Sequence, residues 1–244
     1  MRKVLFIAYY FPPLGLSGVQ RTFKFVKYLS QFNWKPTVLT VSPGGYFAKD
    51  YTMLKEIEEQ DIKIIRAESK LEPTQVFKQK DVMELPRESF RKLANRLSQT
   101  FLIPDNKIGW KKRAVEVGSE LIEKEGFDVI YSTAPPYTDF LVGSELKKKY
   151  NIPFVIDYRD SWIDNPYNFY PTPIHRNISS RMERKVLHDS DHIITINRRI
   201  KELLLIRYKF LKYNDITILS QGFDPEDFVI PEGVTLPRVK KFRI

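Results

Sequence analysis

The chain has 244 residues, no cysteine, 40 Lys and Arg against 30 Asp and Glu, and a hydrophobic share of 42%. That apolar content fills a sizeable core and excludes general disorder, and the length suits one large α/β domain or a domain with an appendage. Without cysteine there is no disulfide framework, thiolate metal site or cysteine nucleophile, and a reducing, cytosolic setting is compatible.

The chain opens on Met1-Arg2-Lys3 and an apolar run that ends in Pro12-Pro13. The run is too short for a signal peptide and lacks a small-residue cleavage site. No stretch reaches the roughly 20 apolar residues of a membrane helix. A soluble, cytoplasmic chain is expected, at most peripheral on the inner face of the cell membrane. The net charge of +10 fits contact with phosphates or an anionic membrane surface, or solubility alone.

Seven Val- and Ile-rich runs read as strands: Lys3–Tyr9, Pro36–Val41, Asp61–Arg66, Asp128–Ser132, Phe154–Asp157, His192–Ile196 and Asp215–Leu219. Most are continuous rather than alternating, as when helices cover both faces of a parallel sheet. Helical spacing falls between them. Val19–Ser30 turns Phe23 and Val26, with Leu29 at its end, toward a core. Glu88–Phe101 repeats Phe90, Leu93, Ala94, Leu97 and Phe101 on one face. Thr138–Tyr150, His175–His188 and Arg198–Leu211 complete the helices. Alternating strand and helix predicts an α/β, Rossmann-like, doubly wound and mainly parallel seven-stranded sheet.

Residues 70–112, with Pro73, Pro86 and Pro104 and a basic amphipathic helix, break the rhythm and read as an inserted helical segment. The stretch from Pro231 to Pro237 reads as a linker. Arg238–Ile244 reads as the first strand of a further domain, so the main domain is expected over residues 1–230 of a longer protein.

Four motifs follow strand ends. In an open α/β sheet, ligands bind beyond the carboxyl ends of the strands, at the switch point of the topology. The first is Tyr9-Tyr10-Phe11-Pro12-Pro13 with Gly15, Ser17 and Gly18, before a helix. Its backbone either meets a phosphate or sugar or serves as a plain strand-to-helix turn. The second is Asp157-Tyr158-Arg159-Asp160-Ser161-Trp162. Three ionisable residues in four positions are costly to bury without partners, so they are expected in a crevice, Arg159 holding an anionic group; an Asp–Arg pair that locks the loop is the alternative. The third, Ser132-Thr133-Ala134-Pro135-Pro136-Tyr137-Thr138, offers Thr133 or Thr138 as a helix cap. The fourth, Gln221-Gly222-Phe223-Asp224, alone reads as a turn with an acidic helix start after Pro225.

Other classes find little support. His175, His188 and His192 lack H-E-x-x-H spacing, so no metal site is expected, and neither a G-x-x-x-x-G-K-[ST] loop nor a G-x-S-x-G elbow is present. Without G-x-G-x-x-G, an NAD(P)-binding domain is a weak rival. From Arg176 to Tyr213 there are ten Lys and Arg against four Asp and Glu. A non-catalytic module that docks this basic face on a membrane or polyanion is the second rival. Nucleic acid is not expected as a partner, since no base-stacking signature is visible.

Taken in order, these motifs, with Pro104-Asp105…Trp110, resemble the N-terminal domain of a GT-B glycosyltransferase of the family 4 type, in the branch active in bacterial surface polysaccharide assembly. The resemblance covers essentially the whole chain. It implies retaining transfer of a sugar from a nucleotide-sugar, the donor substrate, to a lipid-linked or growing saccharide acceptor. No covalently bound cofactor and no essential metal are implied. It places Gly15, Ser17 and Gly18 at the donor phosphates and transferred sugar, and Arg159 where relatives carry a histidine near the reacting sugar. Asp157 and Asp160 would line the same catalytic cleft. Thr133, Pro135, Tyr137, Trp162 and Arg21 would face the acceptor. Two departures stand out: Leu16 replaces a second loop glycine, and the donor-binding domain with its paired glutamates lies beyond this chain. The piece alone is therefore expected to be inactive.

Overall fold

The structure, a computed structural model, describes residues 1–15, 17–43, 50–58, 62–69, 100–166 and 168–228. Seven strands form one sheet: β1 Arg2–Ile7, β2 Trp34–Val41, β3 Lys63–Ala67, β4 Val129–Ala134, β5 Phe154–Tyr158, β6 His192–Thr195 and β7 Ile216–Ile218. Their order is β3-β2-β1-β4-β5-β6-β7, and every neighbouring pair is parallel. The chain moves outward from β1 to β3, then returns to β4 on the other side of β1. The switch point therefore lies between β1 and β4. The seven expected strands are all present, each bound within two residues of its expected position.

The helices are α1 Ser17–Leu29, α2 Thr52–Glu58, α3 Lys111–Glu125, α4 Thr138–Tyr150, α5 Pro173–Asp189 and α6 Arg198–Arg207. In α1, Phe23 and Val26 are buried as expected, and Leu29 is half-buried. Two helices, α2 and α3, were not expected. The buried face of α3 is Ala114, Val117, Gly118, Ser119, Leu121 and Ile122. Half of it is small residues, so close packing rather than bulk apolar surface marks it. Gly118 and Gly143 explain how close: a Cβ on Gly118 would lie 2.8 Å from Leu146, and one on Gly143 would lie 2.3 Å from the Phe154 ring. α6 ends at Arg207, short of the expected Leu211, because the chain leaves helical geometry at Tyr208.

Neither threonine caps α4. Asp105 does so from outside the helix, accepting from the Thr138 N–H at 3.0 Å and from Thr138 Oγ1 at 2.7 Å. This satisfies one of the orphan donors of the helix start. Trp110 is fully buried, donates from Nε1 to the Ala67 carbonyl at 3.1 Å and meets the Tyr9 ring edge-on. The Pro104-Asp105…Trp110 motif thus fastens the β3 and β4 ends of the sheet together. The expected helix over Glu88–Phe101, except its last two residues, most of the inserted segment, Leu16 and the linker at 231–244 lie outside the described residues. Among the described residues, no helix is long and apolar enough to cross a membrane.

Candidate functional site

Two concavities are candidates. The larger, about 890 Å³, lies under α1 against the sheet face carrying Phe6, Tyr131, Val155 and Ile194. The charged groups on its rim, Arg21, Lys24, Asp224 and Asp227, are paired with one another or with Asp157. Size favours this groove, but its walls are apolar and its charges are spent, so it offers no reacting group. The carboxyl ends of β1, β4 and β5 are where polar groups converge.

There the β5 motif divides into three fates. Asp157 is 1% exposed, and both its oxygens are engaged. Arg21, itself 4% exposed, donates from Nε to Oδ2 at 2.9 Å and from Nη2 to Oδ1 at 3.0 Å. Thr133, its register partner on β4, donates to Oδ2 at 3.1 Å. The same guanidinium holds the carbonyls of Leu219 at 2.9 Å and Ser220 at 3.2 Å and lies over the Phe25 ring. Asp157, Arg21 and Thr133 therefore form a buried lock between α1 and the ends of β4, β5 and β7, as the Asp–Arg alternative anticipates.

Arg159 follows one residue beyond β5. Its Nη1 donates to the Gly18 carbonyl and its Nη2 to the Pro135 carbonyl, while its own N–H donates to the Ala134 carbonyl at 3.0 Å. A Cβ on Gly18 would come within 3.3 Å of Nη1, so a bare backbone gives the guanidinium its room. Arg159 Nε is buried and makes no hydrogen bond among the described residues. Burial lowers the Arg159 pKa, against the carboxylates of Asp157, Asp139 and Asp160, yet a guanidinium keeps its charge at neutral pH. One cation thus ties together the β1–α1, β4–α4 and β5 loops at the switch point.

Asp160 is exposed and has no hydrogen bond or ion pair among the described residues. Gly15 is buried at the foot of the loop, and Ser17 opens α1. The loop is anchored from behind: Arg66 Nη2 donates to the Pro12 carbonyl at 2.7 Å, and the Asp50 N–H to the Pro13 carbonyl at 2.7 Å. Its backbone is held, with the first turn of α1 pointing N–H groups outward, the arrangement that receives anions.

Of the residues expected at the acceptor, Trp162 is fully buried and stacks on Tyr137 at 4.6 Å and 11°. Tyr137 is 3% exposed and donates to the Ser161 carbonyl at 2.7 Å, and burial pushes its pKa far up. Trp162 is a core residue here, while Tyr137 and Pro135 form the inner wall of a second cavity of about 200 Å³. The fourth motif is a tether: Asp224, 5% exposed, accepts from Lys24 Nζ at 2.6 Å and Tyr28 Oη at 2.8 Å, holding the tail on α1.

Sequence reading missed two carboxyls near these loops. Asp139 accepts from the Tyr9 N–H at 2.8 Å through Oδ2, its Oδ1 is buried without a hydrogen bond among the described residues, and burial pushes its pKa well up. Glu183 on α5 is fully buried against Tyr208, Tyr158 and Arg207, and burial raises its pKa to about 7. Each sits on a helix with no motif to mark it. No group of three or more His, Asp or Glu placed to hold a metal ion occurs among the described residues.

With this geometry in view, similarity to known proteins becomes informative. The sequence model described as Glycosyltransferase Family 4 matches residues 17–227. None of the curated proteins matches the sequence. Among solved structures, the chain is similar to sucrose-phosphate synthase from Thermosynechococcus elongatus, with a TM-score of 0.56 and 13% identity over 93% of this chain and 49% of that one. It is also similar to Anabaena Alr3699/HepE in complex with UDP-glucose, with a TM-score of 0.53 and 12% identity over 95% of this chain and 47% of that one. The chain spans about half the length of these structures. At such identities the likeness is one of fold: the seven-stranded sheet is a Rossmann-like half of a GT-B architecture.

Proposed function

The chain belongs to Glycosyltransferase Family 4, and from that premise we propose that it is the acceptor-binding half of a retaining glycosyltransferase. The enzyme transfers a sugar from a nucleotide-sugar to a lipid-linked or growing saccharide in polysaccharide synthesis. One observation carries the reading: Arg159 bridges the Gly18 and Pro135 carbonyls at the β1/β4 switch point. It thereby sets a buried positive charge beneath a loop whose helix N-terminus favours phosphate. The donor comes in above Gly15, Ser17 and Gly18, and the acceptor lies on the Pro135 and Tyr137 side. Exposed Asp160 faces solvent at the same edge. Asp157 and Arg21 act by holding α1 and β5 in register, not by touching substrate.

The donor-binding domain follows Pro231 in this reading, so residues 1–230 alone do not turn over donor. The reading requires neither a covalently bound cofactor nor an essential metal. That Anabaena Alr3699/HepE is in complex with UDP-glucose makes uridine nucleotides the first donors to try. A lipid-linked acceptor places the protein at a membrane. Ile206 and Tyr213, 64% and 70% exposed, stand among Arg198, Arg199, Lys209 and Lys212, the mix that binds anionic headgroups. The test is nucleotide-sugar consumption by the polypeptide carrying this chain with its donor domain. Release of nucleotide is expected; inertness toward every nucleotide-sugar, with salt-sensitive liposome binding intact, would favour a non-catalytic membrane module instead.

A further inference from the structure

Along a strand, successive N–H groups point to opposite neighbours. The Ala8 N–H donates to the Leu39 carbonyl of β2 at 3.1 Å, so the Tyr9 N–H turns to the β4 side. There the register of β1 with β4 has ended, at Ile7 and Ser132. A buried N–H still needs an acceptor. Tyr9 is buried, and Asp139 Oδ2 accepts from its N–H at 2.8 Å. A side chain from the second residue of α4 thus supplies the acceptor that β4 no longer gives.

Tyr9 is also where the chain enters the loop that runs to Gly18. Three backbone anchors of this loop come from the β2 and β3 side. Thr40 Oγ1 donates to the Tyr9 carbonyl at 2.9 Å, Arg66 to the Pro12 carbonyl and the Asp50 N–H to the Pro13 carbonyl. Across the switch point the loop is held at both ends, its entrance by Asp139 and its exit by Arg159 at the Gly18 carbonyl. Both holds are mounted on one turn: Arg159 also donates to the Pro135 carbonyl, and the Asp139 N–H donates to the Pro136 carbonyl at 3.2 Å. One hold leaves a loop free to pivot. Two fix its orientation.

The charged groups that Asp139 faces are Asp105 and Arg159, and burial pushes its pKa well up. At neutral pH it is a protonated acid, and its hold on Tyr9 is a hydrogen bond between uncharged groups. An amide of the same shape offers the same acceptor oxygen. Asn is therefore its conservative replacement.

We propose that Asp139 is a positioning residue for glycosyl transfer: by accepting the Tyr9 N–H it aims the loop from Tyr9 to Gly18 at the donor phosphates. It touches no substrate. The proposal rests on the reading of this chain as half of a glycosyltransferase, in which the following domain binds the nucleotide. Loss of the hold leaves that binding in place but misplaces the backbone N–H groups that meet charge developing on the leaving phosphate. The effect falls on kcat rather than on the donor KM.

The test compares the parent with Asp139→Ala, Asp139→Asn and Gly126→Ala in the polypeptide carrying this chain and its donor domain. Donor kcat and KM are measured well below the unfolding temperature of each, with hydrogen exchange of the Tyr9 amide followed on the same preparations. Asp139→Ala is expected to lower kcat at least about tenfold, with donor KM within about twofold. It should also speed Tyr9 exchange about tenfold, the scale of one lost hydrogen bond to a buried group. Asp139→Leu, of similar shape but without an acceptor, replaces Asp139→Ala if that variant does not fold. Asp139→Asn should restore both readouts to near parental values. Gly126→Ala, strained at the end of α3 and before β4, loses stability without touching the loop and should keep the parental kcat. Parental kcat in Asp139→Ala, an Asp139→Asn as slow as Asp139→Ala, or an equal loss in Gly126→Ala would overturn the proposal. If the parent turns over no nucleotide-sugar, the glycosyltransferase reading fails, and Tyr9 exchange alone then decides the role of Asp139. Faster exchange in Asp139→Ala that Asp139→Asn reverses upholds the hold on the loop; unchanged exchange overturns it.

Discussion

Arg21 closes a bidentate ion pair on Asp157, with both side chains under 5% exposed and 136 positions apart in the chain. The first helix is thereby fixed to the fifth strand, and through the Leu219 and Ser220 carbonyls to the end of the seventh. This contact and the Arg159 bond to the Gly18 carbonyl together position the N-terminal end of α1.

Breaking such a pair leaves an uncompensated buried charge, a cost of about 3–5 kcal/mol. Arg21→Ala and Asp157→Ala are each expected to lose that much in urea denaturation. The double replacement Arg21→Met with Asp157→Leu should recover most of it, since no charge is then stranded. Equal losses in the double and single variants would show that the ion pair is not what holds these elements.

Glu183 gives the fold a pH dependence with a definite sign. Its folded pKa is raised to about 7 from an ordinary 4.5, with burial the chief cause, so the folded state holds a proton that the unfolded chain has released. The stabilising contribution is complete below about pH 4.5 and is lost as pH rises through about 7. Across that window it amounts to about 3 kcal/mol. Asp105 and Asp139, also raised by burial, add in the same direction. Glu183→Gln should flatten the loss of stability between pH 4.5 and 7; a slope identical to that of the parent would place the titration elsewhere.

Gly143 packs directly on Phe154, leaving no space for a methyl group. Gly143→Ala, which would favour an isolated helix, should instead destabilise the protein by about 1–3 kcal/mol through overpacking. Gly126→Ala, at φ 66° and ψ 142° with open space around its Cβ position, should cost about 1–3 kcal/mol through backbone strain alone. Thermal unfolding of both variants separates the two causes.

The strands were legible in the sequence because parallel, doubly covered strands are continuous Val and Ile runs, and local pattern suffices for them. α3 was not legible, because Ala114, Gly118 and Ser119 meet their neighbours through smallness, which hydrophobic periodicity does not register. At the site, the position of Asp157 and Arg159 after β5 was readable, but their opposite fates were not. Asp157 is buried because Arg21, far away in sequence, comes to meet it. Arg159 is drawn between three loops by backbone carbonyls, which leave no mark on the sequence. Asp105 as the cap of α4 was hidden for a similar reason: it precedes that helix by more than 30 residues.

The central claim is that the Arg159 clamp stands at the reacting centre of a glycosyltransferase. The most direct test is nucleotide-sugar turnover by the polypeptide carrying this chain and its donor domain, compared between the parent and Arg159→Ala of matched thermal stability. The account predicts turnover in the parent and a loss of about 100-fold or more in kcat/KM for the variant, the scale of a removed transition-state contact. Parental turnover in Arg159→Ala would contradict it.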